Sequence, residues 1–244
     1  MISDSLWLCA NPALKHFEQP LLNQLNRQAD VYCWDYSQSP DEPCDLAGAI
    51  ALLHDYMESL ERPIHLLGHG LSGVLAMLYA RQYPAKVQSL TLLSVGAEPE
   101  ISWPSHYYAL RNLLPCSRTI VLKQMVRLLF GPQSAKRTAR YIRTLTRVLD
   151  TELALHSLIS RTALILGRVE MPLLVCQGEQ DVILDANTQV QWNPVLKSGD
   201  RVWRCPEGRH FFHYEHPEST SQAILQFWQQ PICQLRSNLI EHTR

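Results

Sequence analysis

Short apolar runs alternate with amphipathic stretches along most of this chain. Residues 6–10 form an apolar run closed by Asn11-Pro12, which predicts a buried strand followed by a turn. Leu14, Phe17, Leu21, Leu22 and Leu25 then recur at helical spacing over 14–27. A second strand is predicted over 31–34, and it runs into Asp35-Tyr36-Ser37-Gln38-Ser39-Pro40, a loop by composition. Leu46, Ala49, Ile50, Leu53, Met57 and Leu60 mark one side of a helix over 45–60. A third strand over 63–67 leads into a tight glycine-rich turn over 68–73 and a nearly uncharged helix over 74–83, stopped by Pro84. Strands over 87–95, 171–177 and 201–205 and a closing helix over 218–230 complete the pattern. Strands without polar alternation need cover on both faces, so the repeated strand–helix order predicts a mainly parallel sheet with helices on either side. Residues 99–168 carry helical patterns only. They read as a helical insertion into a core made of 1–98 and 169–244.

Composition changes this picture little. The hydrophobic share of 46% suits a sizeable core. The seven cysteines include no Cys-x-x-Cys pair, and Cys9, Cys33, Cys176 and Cys205 fall in or at the ends of predicted strands, so buried reduced thiols are expected. No basic segment followed by an apolar stretch opens the chain, and no apolar run approaches the ~18 residues of a membrane span. A soluble protein is expected, cytoplasmic or peripheral at a membrane.

The chemistry concentrates in Gly68-His69-Gly70-Leu71-Ser72-Gly73, between a predicted strand and a predicted helix. This run resembles the nucleophile elbow of the α/β-hydrolase family, Gly-x-Ser-x-Gly on a strand–turn–helix. The resemblance implies an α/β-hydrolase fold: a mainly parallel sheet of about six strands, helices on both faces and a helical cap. The first strand begins about six residues into the chain, so the family's leading antiparallel hairpin is not expected. It also places Gly70 in the nucleophile's slot, where a serine-esterase mechanism cannot run. Ser72 does not replace it, because a shifted elbow needs a small residue where Val74 stands; Ser72 is expected in the first helical turn, directed into the scaffold.

Two further motifs resemble the rest of the family's machinery. Gly178-Glu179-Gln180-Asp181 resembles the strand end that supplies the orienting acid, Asp181. Gly208-Arg209-His210-Phe211 resembles the late loop that supplies the general base, His210, with Arg209 adding a positive charge beside it. The oxyanion donors would be the Leu71 N–H and, from Cys9-Ala10-Asn11-Pro12, that of Asn11, since proline has no N–H. Two functions follow from the resemblance. One is a catalytically degenerate hydrolase acting in binding, scaffolding or regulation. The other is a nucleophile-free hydrolase or lyase in which an Asp181–His210 dyad activates water or substrate on a small ester or lipid-like molecule. His210, His213 and His216 stand three apart without an accompanying ligand motif, so no metal is expected. Gly68-x-Gly70-x-x-Gly73 lacks the acid that closes a dinucleotide fingerprint, so no cofactor is expected.

Charge separates two parts of the chain. The net charge is −1, yet 101–168 holds eleven Lys/Arg against Asp150 and Glu152, while the remainder holds eleven against twenty-one acids. Lys136, Arg140, Arg143 and Arg147 fall in one helical stripe, with Ala139, Ile142, Leu145 and Leu149 assigned to the apolar side. Beyond an ordinary solvated face, this stripe would dock an acidic protein or an anionic membrane surface. Trp103, His106, Tyr107, Tyr108, Leu110, Leu113 and Leu114 would edge a pocket between core and cap for a small-molecule or lipid-like ligand. The stripe has little aromatic interleaving, so no nucleic acid is expected.

Overall fold

The structure, a computed structural model, describes residues 4–37, 46–98, 101–151 and 168–229. Six strands form one parallel sheet: β1 (Ser5–Cys9), β2 (Val31–Asp35), β3 (Ile64–His69), β4 (Val87–Leu93), β5 (Leu173–Gly178) and β6 (Arg201–Cys205), in the order β2-β1-β3-β4-β5-β6. Along β1, Leu6 and Leu8 enter one buried cluster and Trp7 and Cys9 the other. The period-two alternation of a strand thus feeds two cores, which is why the central runs are apolar throughout.

Helices α1 (Lys15–Leu25) and α9 (Pro217–Trp228) cover the Trp7 face, through Leu21, Leu22, Leu25, Ile224 and Leu225. Helices α2 (Leu46–Glu58) and α3 (Leu71–Gln82) cover the opposite face. Between β4 and β5 lie α4 (Trp103–Leu113), α5 (Arg118–Phe130) and α6 (Ala135–Thr151). Their apolar sides close a third cluster with Leu14, Phe17 and Phe211, which fixes the insertion above one end of the sheet. Two short helices, α7 (Ala186–Val190) and α8 (Phe212–Glu215), complete the described elements.

Several expectations are corrected in detail. The glycine-rich turn is not six residues long: β3 continues to His69, α3 begins at Leu71, and Gly70 alone makes the turn. A Cβ on Gly68 would lie 2.5 Å from the Ser72 carbonyl carbon, and one on Gly73 2.4 Å from Val95 Cγ2. Those two glycines serve close strand–helix contact. On α6 the buried positions are Tyr141, Leu145 and Val148, and Ala139 is exposed. Alanine carries too little apolar surface to fix a helix face. Cys33 is exposed because β2 is an edge strand, whereas Cys9, Cys176 and Cys205 are buried; all are free thiols. Cys44, Cys233, Glu152, positions 38–40 of the predicted loop, the 45 and 230 helix ends and much of 99–168 lie outside the described residues.

Candidate active site

The chain runs from β1 out to the edge at β2 and then back to β3 on the other side of β1. Connections therefore diverge above the carboxyl ends of β1 and β3, the place where an open α/β sheet leaves a crevice. A cavity lies there. Asn11 borders it after β1, Gly70 and Leu71 after β3, Ser94 to Gly96 after β4, and His210 after β6. Ser102, Trp103, Pro104 and Val148 of the insertion roof it. Of the aromatic and apolar residues expected at the lid edge, only Trp103 lines it; Leu113 and Leu114 are exposed on the outer surface. The cavity measures about 40 Å³. That is room for about three or four waters at ~10–15 Å³ each.

Asp181 and His210 meet at one side. His210 Nδ1 is 2.9 Å from Asp181 Oδ2, and both side chains are buried. The Ile183 and Leu184 N–H groups donate to Asp181 Oδ1 at 2.8 and 3.2 Å, so the carboxylate is held at both oxygens. An acceptor on Nδ1 fixes that nitrogen as the protonated one, which leaves Nε2 as the basic nitrogen of a ring that lines the cavity. The loops carrying the pair are stitched by the Gln180 N–H to the Gly208 carbonyl at 2.8 Å and the Glu179 N–H to the Cys205 carbonyl at 3.1 Å. Arg209 directs its guanidinium toward Gly131 in the insertion.

Two residues not singled out from the sequence hold the histidine backbone. Ser94 Oγ donates to the His210 carbonyl at 2.7 Å, and His69 Nε2 donates to it at 3.0 Å. Burial holds His69 down to about 3, so it stays neutral with its proton on Nε2. Ser94 sits at φ +47°, a conformation serine rarely adopts. His213, fully buried against His69, is held well below the ordinary histidine value by desolvation.

The opposite side is built differently. Gly70 adopts φ +53°, ψ −122°, and a Cβ there would meet no atom within 4 Å. Leu71 opens α3, so its N–H has no acceptor within the helix, and the residue lines the cavity. Ser72 is buried in the first turn of α3, and its Oγ accepts the Ala10 N–H at 2.9 Å. Asn11 is buried at the cavity wall, with Pro12 next in the chain. Glu18, one turn into α1, also reaches the cavity; a carboxyl four residues after Leu14 on an otherwise apolar side was the signal for it in the sequence. Among the described residues no group of three metal-ligating side chains occurs.

Comparison with known proteins decides the family. A profile described as the alpha/beta hydrolase family matches residues 4–223. The chain belongs to that family. It is 43% identical over 223 residues to the uncharacterized protein sll0249 of Synechocystis sp., covering 91% of this chain and 89% of that one. It is 26% identical over 178 residues to human monoglyceride lipase, covering 66% of this chain and 56% of the lipase. Among solved structures, a thermophilic esterase shares the hydrolase fold at a TM-score of 0.68 and 17% identity, over 92% of this chain and 88% of that one. No described helix is long and apolar enough to cross a membrane.

Proposed function

We propose that this alpha/beta hydrolase has Gly70 where its relatives' mechanism needs a nucleophile, and that it hydrolyses small esters by activating water. The buried Asp181–His210 pair, 2.9 Å apart beside an open space at Gly70, carries this reading. Asp181 holds the tautomer with Nε2 unprotonated. His210 then takes a proton from a water in the cavity as that water attacks the ester carbonyl. The N–H of Leu71 faces the developing oxyanion at the start of α3. His210 returns the proton to the departing alkoxide. General-base assistance of this kind contributes about 10²–10⁴ in rate. Similarity to a lipase and an esterase directs the choice of esters. The test is hydrolysis of p-nitrophenyl acetate and butyrate by wild type beside His210→Ala. Turnover is expected to fall about 10²–10⁴-fold in the variant; equal rates overturn the reading, and no turnover in either leaves a degenerate, ligand-binding role in its place.

A second role, docking on an anionic bilayer, is favoured by the outer surface of the insertion. Lys136, Arg140, Arg143 and Arg147 are all exposed along α6. The α4–α5 tip presents Leu113 at 76% and Ile120 at 58% exposure, with Leu114 between them in sequence. Arg118 pairs with Asp150 at 2.6 Å, which brings that tip beside the Arg147 end of α6. Aliphatic side chains next to a cationic stripe match the boundary between acyl chains and acidic headgroups. Cosedimentation with vesicles of 30% phosphatidylglycerol at low salt should be lost on changing Arg140, Arg143 and Arg147 to Gln. Retention by purely zwitterionic vesicles, or binding by the triple variant, overturns it; failure to bind any vesicle leaves an acidic protein as the occupant.

A further inference from the structure

Glu18 occupies a position where the fold expects an apolar side chain. Phe17, Leu21, Leu22 and Leu25 are its buried neighbours on α1, and Glu18 itself is 4% exposed. It stands beside Trp7 and Cys9 on β1. Its Oε2 has no hydrogen-bond partner among the described residues. The nearby Lys15 ammonium is engaged by Asp35 at 2.7 Å. A buried carboxylate without a cation is costly enough that such a group holds its proton instead. Desolvation accordingly lifts Glu18 to about 8; the Asp35 charge adds to this, while the Trp7, Cys9 and Lys15 groups pull the other way. The cavity that Glu18 lines is the one lined by His210, Gly70, Leu71 and Asn11.

In the loop after β1, Asn11 is the one residue between Ala10 and Pro12 that borders the cavity. The Ala10 N–H is committed to Ser72 Oγ, and Pro12 has no N–H. We propose that Glu18 is a further catalytic residue of this site, its carboxyl O–H donating a hydrogen bond to the substrate's carbonyl oxygen. This inference rests on the water-activation reading above. When water adds, the new C–O bond forms as His210 Nε2 takes the water's proton, and the carbonyl π pair becomes an oxyanion shared between the Leu71 N–H and the Glu18 O–H. When that pair re-forms the carbonyl, the C–O bond to the alkoxide breaks and His210 returns its proton there. Glu18 keeps its own proton throughout. Two titratable groups facing one cavity, one basic and one kept neutral, are a recurring way to divide base and acid roles.

The test uses the whole protein with ¹³C at the glutamate side-chain carboxyls and pentan-2-one, which offers a carbonyl without a leaving group. The Glu18 resonance is the one missing from Glu18→Gln. It is expected at the protonated position at pH 7, to ionise near pH 8, and to move with the His210 ring signals as ketone is added. Glu18→Gln, which keeps a donor but cannot ionise, should lose the alkaline limb of the rate profile. Glu18→Leu should lose about 10²–10³ in kcat with little change in KM, the loss that follows removal of one oxyanion donor. A Glu18 signal already ionised at pH 7, or one unmoved while His210 responds, overturns this inference and leaves the water-activation reading standing. A ketone that moves neither signal overturns both.

Discussion

The carboxyl ends of β5 and β6 and those of β1 and β3 frame one cavity but are built to different standards. On the β5–β6 side the Asp181–His210 pair is held at several points: Asp181 at both oxygens, His210 at Nδ1 and at its carbonyl by two donors. On the β1–β3 side the turn carries no side chain, and a loop N–H is spent on Ser72. Buried hydrogen bonds on both partners fix the orientation of such a pair, whereas a glycine in open space leaves room that water or ligand fills. The comparison teaches that one wall of a cavity can be held firmly whatever the opposite wall carries, because each wall is held by its own loop and backbone bonds.

The comparison breaks most sharply at Gly70. Gly70→Ser places a hydroxyl in open space in the turn between β3 and α3, and, on the proposed function, burst-phase turnover of p-nitrophenyl acetate is expected where wild type shows no burst. The positive φ should cost this variant about 1–3 kcal/mol in urea unfolding. Absence of any burst would mean that a hydroxyl at this turn does not suffice for acyl transfer. Next in size is Gly68→Ala, whose Cβ meets α3 backbone rather than a movable side-chain end. About 1–3 kcal/mol of lost stability is expected, with a lower Tm. Ser72→Ala should follow, at about 1–3 kcal/mol or less, because it leaves the Ala10 N–H buried without its acceptor.

The smallest effect is a pH dependence that sharpens the same contrast. His69 is held at about 3 and His65 at about 4 by burial, so the unfolded chain binds more protons below the ordinary histidine value of 6.5. Stability from these groups is therefore lost progressively as pH falls below about 6.5. Glu18 runs the other way. Its folded value of about 8 lies above the ordinary 4.5, so its contribution is complete below 4.5 and lost as pH rises through 8. Unfolding of Glu18→Gln at pH 6 and pH 9 should show a smaller alkaline loss than wild type.

Much of the sheet was legible because strands buried on both faces leave apolar runs that few other structures need. The 201–205 strand coincides with β6, and 31–34 falls one residue short of β2. Burial within an edge strand was not legible, since Cys33 reads like Cys9 until its neighbours are known. Helices of four or five residues, such as α7 and α8, span too few turns to show a period. At the cavity, local motifs brought out Asp181 and His210, and the structure sets them 2.9 Å apart. No motif brought out the clamp by Ser94 and His69, because both reach a backbone carbonyl more than a hundred residues away. Glu18 shows the intermediate case: the anomaly was visible as a charge at an inward position, but not which cavity it would border.

The Ser72–Ala10 hydrogen bond spans 62 residues and joins the start of α3 to the loop after β1. It therefore makes the Ala10 amide a resident reporter. Its hydrogen–deuterium exchange registers any opening between these two segments, and it can be read in the resting protein without substrate. Exchange as slow as the central strands would mark the two walls as one cooperative unit; faster exchange would assign that side of the cavity its own local unfolding free energy.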